Sequence, residues 1–222
     1  MMKKNGFTLA EVLITLAIIG VVATLTLPSL MSNTQEQQAV TAFRKAMNTL
    51  NEVAQMNAAV HGFDFSGITT TTQPTNRNVF SAQGILEQSI WGIMKANAQV
   101  DQTRSGLANA AGIGPGGECD NVENVVAFRD GTTLCYAATA TAANADTVIN
   151  GVIDTNGLKA PNTLSTCGNA TCTQAKNIKD QFVITLHGSV AIPGRVTHTV
   201  QGGYVEAGVA AQNNAARWAM SK

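Results

Sequence analysis

The sequence KKNGFTLAEVLITLAIIGVVATLTLP, residues 3–28, decides how this chain must fold. Two lysines precede an apolar run from Phe7 to Leu27 that contains a single charged residue, Glu11. A helix of about 21 residues is about 31 Å long, which matches the hydrocarbon core of a bilayer. No other charge follows until Glu36, so the basic flank should stay in the cytoplasm and the rest of the chain should be exported. We therefore predict a membrane-spanning helix with its N-terminus inside.

Glu11 separates two interpretations of this run. A cleaved secretory signal peptide also has a basic start and an apolar core, and its cut would fall near Ala23 to Ser32. The apolar core of such a peptide has only about 7–15 residues, which is shorter than this run. A carboxylate inside a bilayer costs several kcal/mol and is by default a functional group with a partner. Both observations argue against an ordinary signal peptide.

The residues around the charged start, Lys3-Lys4-Asn5-Gly6-Phe7-Thr8-Leu9-Ala10-Glu11, resemble the prepilin processing site of type IV pilins, type II secretion pseudopilins and competence pilins. The resemblance implies that a membrane-embedded aspartyl peptidase cuts after Gly6 and that the new N-terminal Phe7 is N-methylated. It also implies a filament in which Glu11 pairs with the Phe7 ammonium of its own or a neighbouring subunit. Because an unpaired buried carboxylate is costly, such a pair would set the stagger between helices more than add stability.

Gly20 and Pro28 stand where pilin helices usually carry helix breakers. Glycine weakens a helix, and Pro28 removes the donor to the carbonyl of Thr24. We expect a kink or local melting between them. Both residues are also common in ordinary membrane helices, and that alternative stays open.

Length and composition suit one exported domain better than a cytosolic enzyme. The 222 residues allow one compact domain plus a long extra element, and only 13% of them are charged. Loss of Lys3 and Lys4 with the leader leaves 12 basic side chains against 14 acidic ones, a net charge near −2. This balance does not predict a nucleic-acid surface.

All four cysteines, Cys119, Cys135, Cys167 and Cys172, lie in the part predicted to be exported. An even number in an oxidising compartment favours disulfides. Of the three connectivities we expect Cys119–Cys135 and Cys167–Cys172, because nearest neighbours close the shortest loops.

The pattern after Pro28 predicts an α+β fold. Val40, Phe43, Met47, Leu50 and Ala54 form one apolar stripe on a helix that continues to about Val60. Strands are predicted downstream by alternating or β-branched runs: a hairpin at 124–136 around Asp130-Gly131, then 147–153, 181–186 and 190–192. A long N-terminal helix packed on an antiparallel β-meander is the architecture that the resemblance to pilins implies.

These patterns divide the chain into five segments. We expect a leader at 1–6, a membrane and filament-core helix at 7–28, and the amphipathic half of that helix at 29–60. A variable connection at 61–118 contains one predicted helix at 82–98 and a Gly-rich loop. The β-sheet head follows at 119–222 and ends in a C-terminal loop region.

A second local pattern surrounds Asp154-Thr155-Asn156-Gly157, followed by Pro161-Asn162 and Asp180. It resembles a motif of many bacterial pilin-like heads. Asp154 and Asn156 favour an Asx turn and Gly157 supplies a positive φ. The alternative is a Ca²⁺ site with Asp154, Asn156 and Asp180 as ligands, since a hard cation wants several oxygens and some pseudopilin heads bind calcium. The pattern falls short of an EF-hand loop, so backbone carbonyls would have to complete the shell.

The function implied by the resemblance is that of a structural subunit, a pilin or pseudopilin of a type IV pilus, type II secretion or competence filament. The expected partners are copies of itself, other pilin-like subunits, the prepilin peptidase, the assembly ATPase with its platform, and the inner membrane before assembly; no nucleic-acid partner is expected. The protein would cross the inner membrane once and then enter an extracytoplasmic filament, in the periplasm or at the cell surface. A low-copy tip subunit that binds a surface, DNA or a secreted substrate is the alternative.

An enzyme is the third hypothesis, with His61, His187 and His198 as the candidate residues. They have no H-x-x-H or H-E-x-x-H spacing, and the sequence contains neither G-x-S-x-G nor C-x-x-C. Solvated or core histidines explain them better, so no catalytic residue is predicted.

Overall fold

The computed structural model describes residues 6, 8–67, 90–100, 125–136, 148–157, 159, 162–198 and 203–222. The chain divides into two compact units, residues 1–38 and 39–222, which are treated separately below.

The first unit is helical from Leu9 onward, as the beginning of helix α1, Leu9–His61. Its large apolar side chains between Leu9 and Met31 are 46–78% exposed, far more than a water-soluble helix tolerates on all sides. The helix contains an apolar window of mean hydropathy 2.3 and is long enough to cross a membrane. The prediction of a membrane-capable helix is thus confirmed.

Helix α1 continues without interruption through Gly20 and Pro28. The local melting that we expected between these residues is therefore not seen. Proline lacks only one backbone N–H donor, and glycine at one position only weakens the helix. Both are tolerated because every other backbone group of a long apolar helix can bond within the helix. A bend at these positions stays a prediction.

In the second unit α1 buries the predicted stripe. Val40, Phe43, Met47, Leu50 and Ala54 are all at most 7% exposed. The ring of Phe43 stacks on Phe182 of the sheet, with 4.4 Å between ring centroids. The amphipathic part of the helix thus covers one face of the sheet, as the spacing predicted.

The sheet is a five-stranded antiparallel meander in the order β1 to β5. The strands are β1 Val125–Ala127, β2 Thr133–Tyr136, β3 Ile149–Asp154, β4 Gln181–His187 and β5 Val190–Pro193. Each corresponds to a predicted strand within a few residues. The predicted turn is formed at Asp130, whose Oδ1 accepts the N–H of Thr132 at 3.0 Å, while Gly131 has a φ of +100° that suits glycine.

Helix α2, Ile90–Asn97, lies within the predicted helix at 82–98; residues 82–89 are outside the described part. Its Ile90, Ile93 and Met94 are completely buried. The connection before it begins with a short 3-10 helix, Phe65–Gly67. Phe65 is also buried in the core.

The C-terminal region is more regular than the loop region that we expected. A second sheet pairs β6, Val196–His198, with β7, Tyr204–Glu206, and helix α3 spans Ala210–Ser221. Helix α3 buries Ala215, Ala216, Trp218 and Ala219, so three of its four buried apolar residues are alanines. Alanine is only weakly hydrophobic, so the helical periodicity of this segment was not recognised from the sequence.

Candidate processing and assembly site

Reciprocal hydrogen bonds between Thr8 and Glu11 hold the start of α1. The Glu11 backbone N–H donates to Thr8 Oγ1 at 3.3 Å, and the Thr8 N–H donates to Glu11 Oε2 at 2.8 Å. The Thr8 hydroxyl also donates to Glu11 Oε2 at 3.0 Å, and the Thr8 carbonyl accepts the N–H of Val12 at 3.3 Å. This arrangement is a capping box, which satisfies donors that the N-terminus of a helix leaves open. Glu11 lies in the first turn, where the helix dipole favours a negative charge.

The predicted cleavage position lies just before this cap. Gly6 is exposed and non-helical, and a Cβ added to it would meet no atom within 4 Å. Packing within the described chain therefore does not require glycine here, and the need of a tight protease cleft for glycine stays a prediction. Phe7 lies outside the described residues, so its N-methylation and the pairing of its ammonium with Glu11 stay predictions.

Glu11 was assigned a role in assembly from the sequence, whereas Thr8 was given none. The signal was present, because Thr8-Leu9-Ala10-Glu11 has the spacing of a capping box ahead of an apolar run. Before cleavage, the nitrogen of Phe7 belongs to a neutral peptide bond. The Glu11 carboxylate of the uncleaved chain is then held by the N–H and hydroxyl of Thr8.

Comparison with known families identifies the class of this N-terminus. The family model of the prokaryotic N-terminal methylation motif matches residues 1–27, and this motif is the signature of type IV pilins and pseudopilins. No curated protein and no solved structure matches the chain. The long N-terminal helix and the five-stranded antiparallel sheet that follow this motif form an α+β fold, which is consistent with the pilin-like fold. The motif implies processing by prepilin peptidase and assembly with other pilin subunits.

In the head, the turn after β3 is held by two carboxylates, Asp154 and Asp180. The backbone N–H of Asn156 donates to Asp154 Oδ1 at 3.1 Å, and its side-chain Nδ2 donates to Asp180 Oδ2 at 3.0 Å. Asp180 also accepts the N–H of Asn162 at 2.8 Å and of Thr163 at 2.9 Å. The Asx turn is therefore formed, and Asp180 closes it.

Asp154 is completely buried at the end of β3. Its Oδ2 accepts the side-chain amide of Gln181 at 2.9 Å. Burial, and to a smaller extent the neighbouring Asp180 carboxylate, raise the pKa of Asp154 to about 7, although the hydrogen bonds from Gln181 and Asn156 act in the opposite direction. A neutral, protonated Asp154 is thus favoured below neutral pH.

The structure brings together the three predicted calcium ligands, Asp154, Asn156 and Asp180. Both Asp180 oxygens already accept N–H donors, whereas Asn156 Oδ1 is buried without a hydrogen-bond partner in the described part. Among the same described residues no group of three His, Cys, Asp or Glu side chains could hold a metal ion. The Asx turn by itself accounts for the observed hydrogen bonds, and the calcium ion stays a prediction.

Thermal melting of the protein with calcium and with a chelator tests that ion directly. A midpoint that rises with calcium, and that no longer does so in Asp154→Ala, would support it. An unchanged midpoint would leave only the turn.

One of the two predicted disulfides is confirmed. Cys167 and Cys172 are bonded, with 5.0 Å between their Cα atoms, and both are buried. Cys135 is buried in β2, while Cys119 lies outside the described residues, so the second pairing stays a prediction.

The three histidines do not form a common site. His61 ends α1, His187 Nδ1 lies 2.7 Å from the hydroxyl of Tyr204, and His198 ends β6. Among the described residues these histidines are not part of any group of three side chains that could hold a metal ion. The motif that matches is that of a structural family.

Proposed function

We propose that this protein is a subunit of an extracytoplasmic filament, made as a prepilin and inserted in the inner membrane with its N-terminus in the cytoplasm. Cleavage after Gly6 would release the leader and place an ammonium on Phe7. An assembly ATPase with its membrane platform would then move the subunit from the bilayer into the filament. The type IV pilus, type II secretion and competence systems share this chemistry.

One observation carries the proposal: a methylation motif is followed directly by a helix whose apolar side chains are exposed on all sides. Between Leu9 and Met31 these side chains require an apolar environment, which a bilayer provides first and neighbouring helices of the filament provide afterwards. The apolar stripe beyond residue 39 is buried in the head. The exposed part is therefore available for the membrane and for other subunits.

Mass spectrometry of the N-terminal peptide, from the membrane fraction and from sheared filaments, tests the proposal. We expect the mature chain to begin at Phe7 with one added methyl group on its nitrogen. Gly6→Val should keep the leader, since a branched side chain does not fit where glycine is needed, and it serves as the control for cleavage. A mature N-terminus near Ser32 would instead identify an ordinary signal peptide.

A further inference from the structure

The leader contains a second residue that could begin the helix. Asn5 and Thr8 both belong to the residue types preferred at the N-cap position. If Asn5 were the cap, Gly6 and Phe7 would be the first two residues of the helix. With Thr8 as the cap, the helix begins at Leu9, and Gly6 is exposed and non-helical, as the structure shows.

Glu11 decides between these two starts. It lies three residues after Thr8 and accepts the Thr8 N–H at 2.8 Å, which completes the capping box. The residue three positions after Asn5 is Thr8, which is too short to bond back in the same way. The start at Leu9 thus has two reciprocal bonds, and a start at Gly6 would have one.

The start of the helix determines whether the Gly6–Phe7 bond can be reached. In a helix that began at Gly6, the backbone groups of both residues would be wound into the first turn. A helical backbone also cannot lie extended in a protease cleft. Hydrolysis adds one water to this bond: the hydroxyl joins the carbonyl carbon of Gly6 and a proton joins the nitrogen of Phe7, which leaves a carboxylate and an ammonium.

We infer that Thr8 is a positioning residue for cleavage: its cap on α1, completed by Glu11, keeps the Gly6–Phe7 bond outside the helix and open to the prepilin peptidase. This inference rests on the proposed function, because it requires a cut after Gly6. In the uncleaved chain the Glu11 carboxylate thus stabilises the cap, and after cleavage we expect it to pair with the ammonium.

The test compares four full-length variants: Thr8→Val, Thr8→Ser, Thr15→Val and the double variant Asn5→Ala/Thr8→Val. Thr8→Val keeps the shape but removes the capping hydroxyl, and Thr8→Ser restores it. Thr15→Val is the matched control, because the Thr15 hydroxyl also makes a hydrogen bond within the helix, to the carbonyl of Val12, but caps nothing. Initial rates of cleavage are measured with purified prepilin peptidase in lipid, and backbone ¹³C shifts of residues 5–12 locate the helix start in uncleaved protein without peptidase.

We expect Thr8→Val to slow cleavage about fivefold, which corresponds to a typical N-cap loss of about 1 kcal/mol, and to move the helix start toward Gly6. Thr8→Ser and Thr15→Val should cleave within about twofold of the natural sequence, since a serine cap is as good as threonine. Removal of the competing cap in Asn5→Ala/Thr8→Val should bring Gly6 back out of the helix and recover most of the rate.

Three results would overturn the inference: normal cleavage of Thr8→Val, slow cleavage with an unchanged helix start, or no recovery in the double variant. The second of these would mean that the peptidase contacts the Thr8 side chain directly. Failure of the proposed function is distinguishable, because the natural sequence itself would then not be cut after Gly6.

Discussion

Glu11 is the residue with the largest expected effect on assembly. In the described chain its carboxylate accepts the Thr8 N–H and hydroxyl at 2.8 and 3.0 Å, and these contacts help it to lie near an apolar environment. Cleavage after Gly6 would place a positive charge on Phe7, four residues before this carboxylate. We expect the two charges to pair between staggered helices when the filament assembles.

We therefore expect Glu11→Ala to be inserted and still processed, although more slowly because the cap is weakened, but to be poorly assembled. Loss of the carboxylate makes insertion easier, leaves the Thr8 hydroxyl as a cap, and removes the partner of the ammonium. The yield of sheared filaments, relative to the processed protein in the membrane, measures the effect. Glu36→Ala removes the next acidic side chain of the same helix and is the matched control. A normal filament yield from Glu11→Ala would contradict the role assigned to it.

Asp154 makes the stability of the head depend on pH in an unusual direction. Its pKa in the folded state is about 7, above the ordinary value of an aspartate in an unfolded chain. The folded state therefore holds this proton more tightly. The resulting stability is fully present below about pH 4 and is lost as the pH rises through 7.

The corresponding prediction concerns Asp154→Asn, which imitates the protonated side chain. Denaturant unfolding should show the natural head losing up to about 4 kcal/mol between pH 4 and pH 8, at about 1.4 kcal/mol for each unit of pKa difference. The variant should lose less stability over this pH range, because its amide does not titrate. It should still fold, because the amide oxygen can accept from Asn156 and Gln181 can turn its own amide to match. Equal losses in both proteins would show that Asp154 is ionised throughout.

Among the secondary-structure elements, the long ones could be predicted from sequence and the short, polar ones could not. Helix α1 and strands β3 and β4 have apolar patterns long enough to identify them. Strand β7 has only three residues, all exposed, so its sequence carries no pattern of burial. The cap at Thr8 can be recognised as a motif in the sequence. Its consequence depends on whether the helix begins at Gly6 or at Leu9, and no single motif shows which of the two starts is more stable.

The loop closed by the Cys167–Cys172 disulfide is hydrogen-bonded to helix α3. The N–H of Cys167 donates to the carbonyl of Ala211 in α3 at 2.8 Å, so the bonded pair also holds the beginning of that helix. Asn213 ties α3 to the strands, because its Oδ1 accepts the N–H of Arg195 at 2.8 Å and its Nδ2 donates to the carbonyl of Ala207 at 2.7 Å. The C-terminal region thus depends on polar contacts as well as on burial.

We expect the double variant Cys167→Ser/Cys172→Ser to lose about 2 kcal/mol of stability, the loop-entropy value for so short a loop. The loss should include faster hydrogen exchange in α3, since its N-terminal contact is loosened. Denaturant unfolding and hydrogen exchange of the oxidised proteins measure both effects. Ala170→Ser, a change at an exposed position inside the loop that leaves the bond intact, is the control. Unchanged hydrogen exchange in α3 would show that the disulfide does not stabilise this helix.

At the scale of the whole molecule, the two units differ in the burial of their apolar side chains. None of the described residues in the range 6–38 is buried, whereas the core of the head begins at Val40 and extends to Ala219. The head has its own helix, sheet and disulfide, as an autonomous domain requires.

The last prediction is that residues 39–222 fold without residues 1–38. The truncated protein should be monomeric in water, should unfold cooperatively, and should keep a melting temperature within a few degrees of the full chain in detergent, because it retains every residue that is buried in the described part of the chain. A second truncation, beginning at Thr49, removes Phe43 and Met47, both completely buried. Loss of each side chain costs about 2–5 kcal/mol, and the sum approaches the whole stability of a typical domain, so the shorter protein should not fold. If the protein that begins at residue 39 aggregated or lacked cooperative unfolding, the membrane helix would have to contribute to the stability of the head.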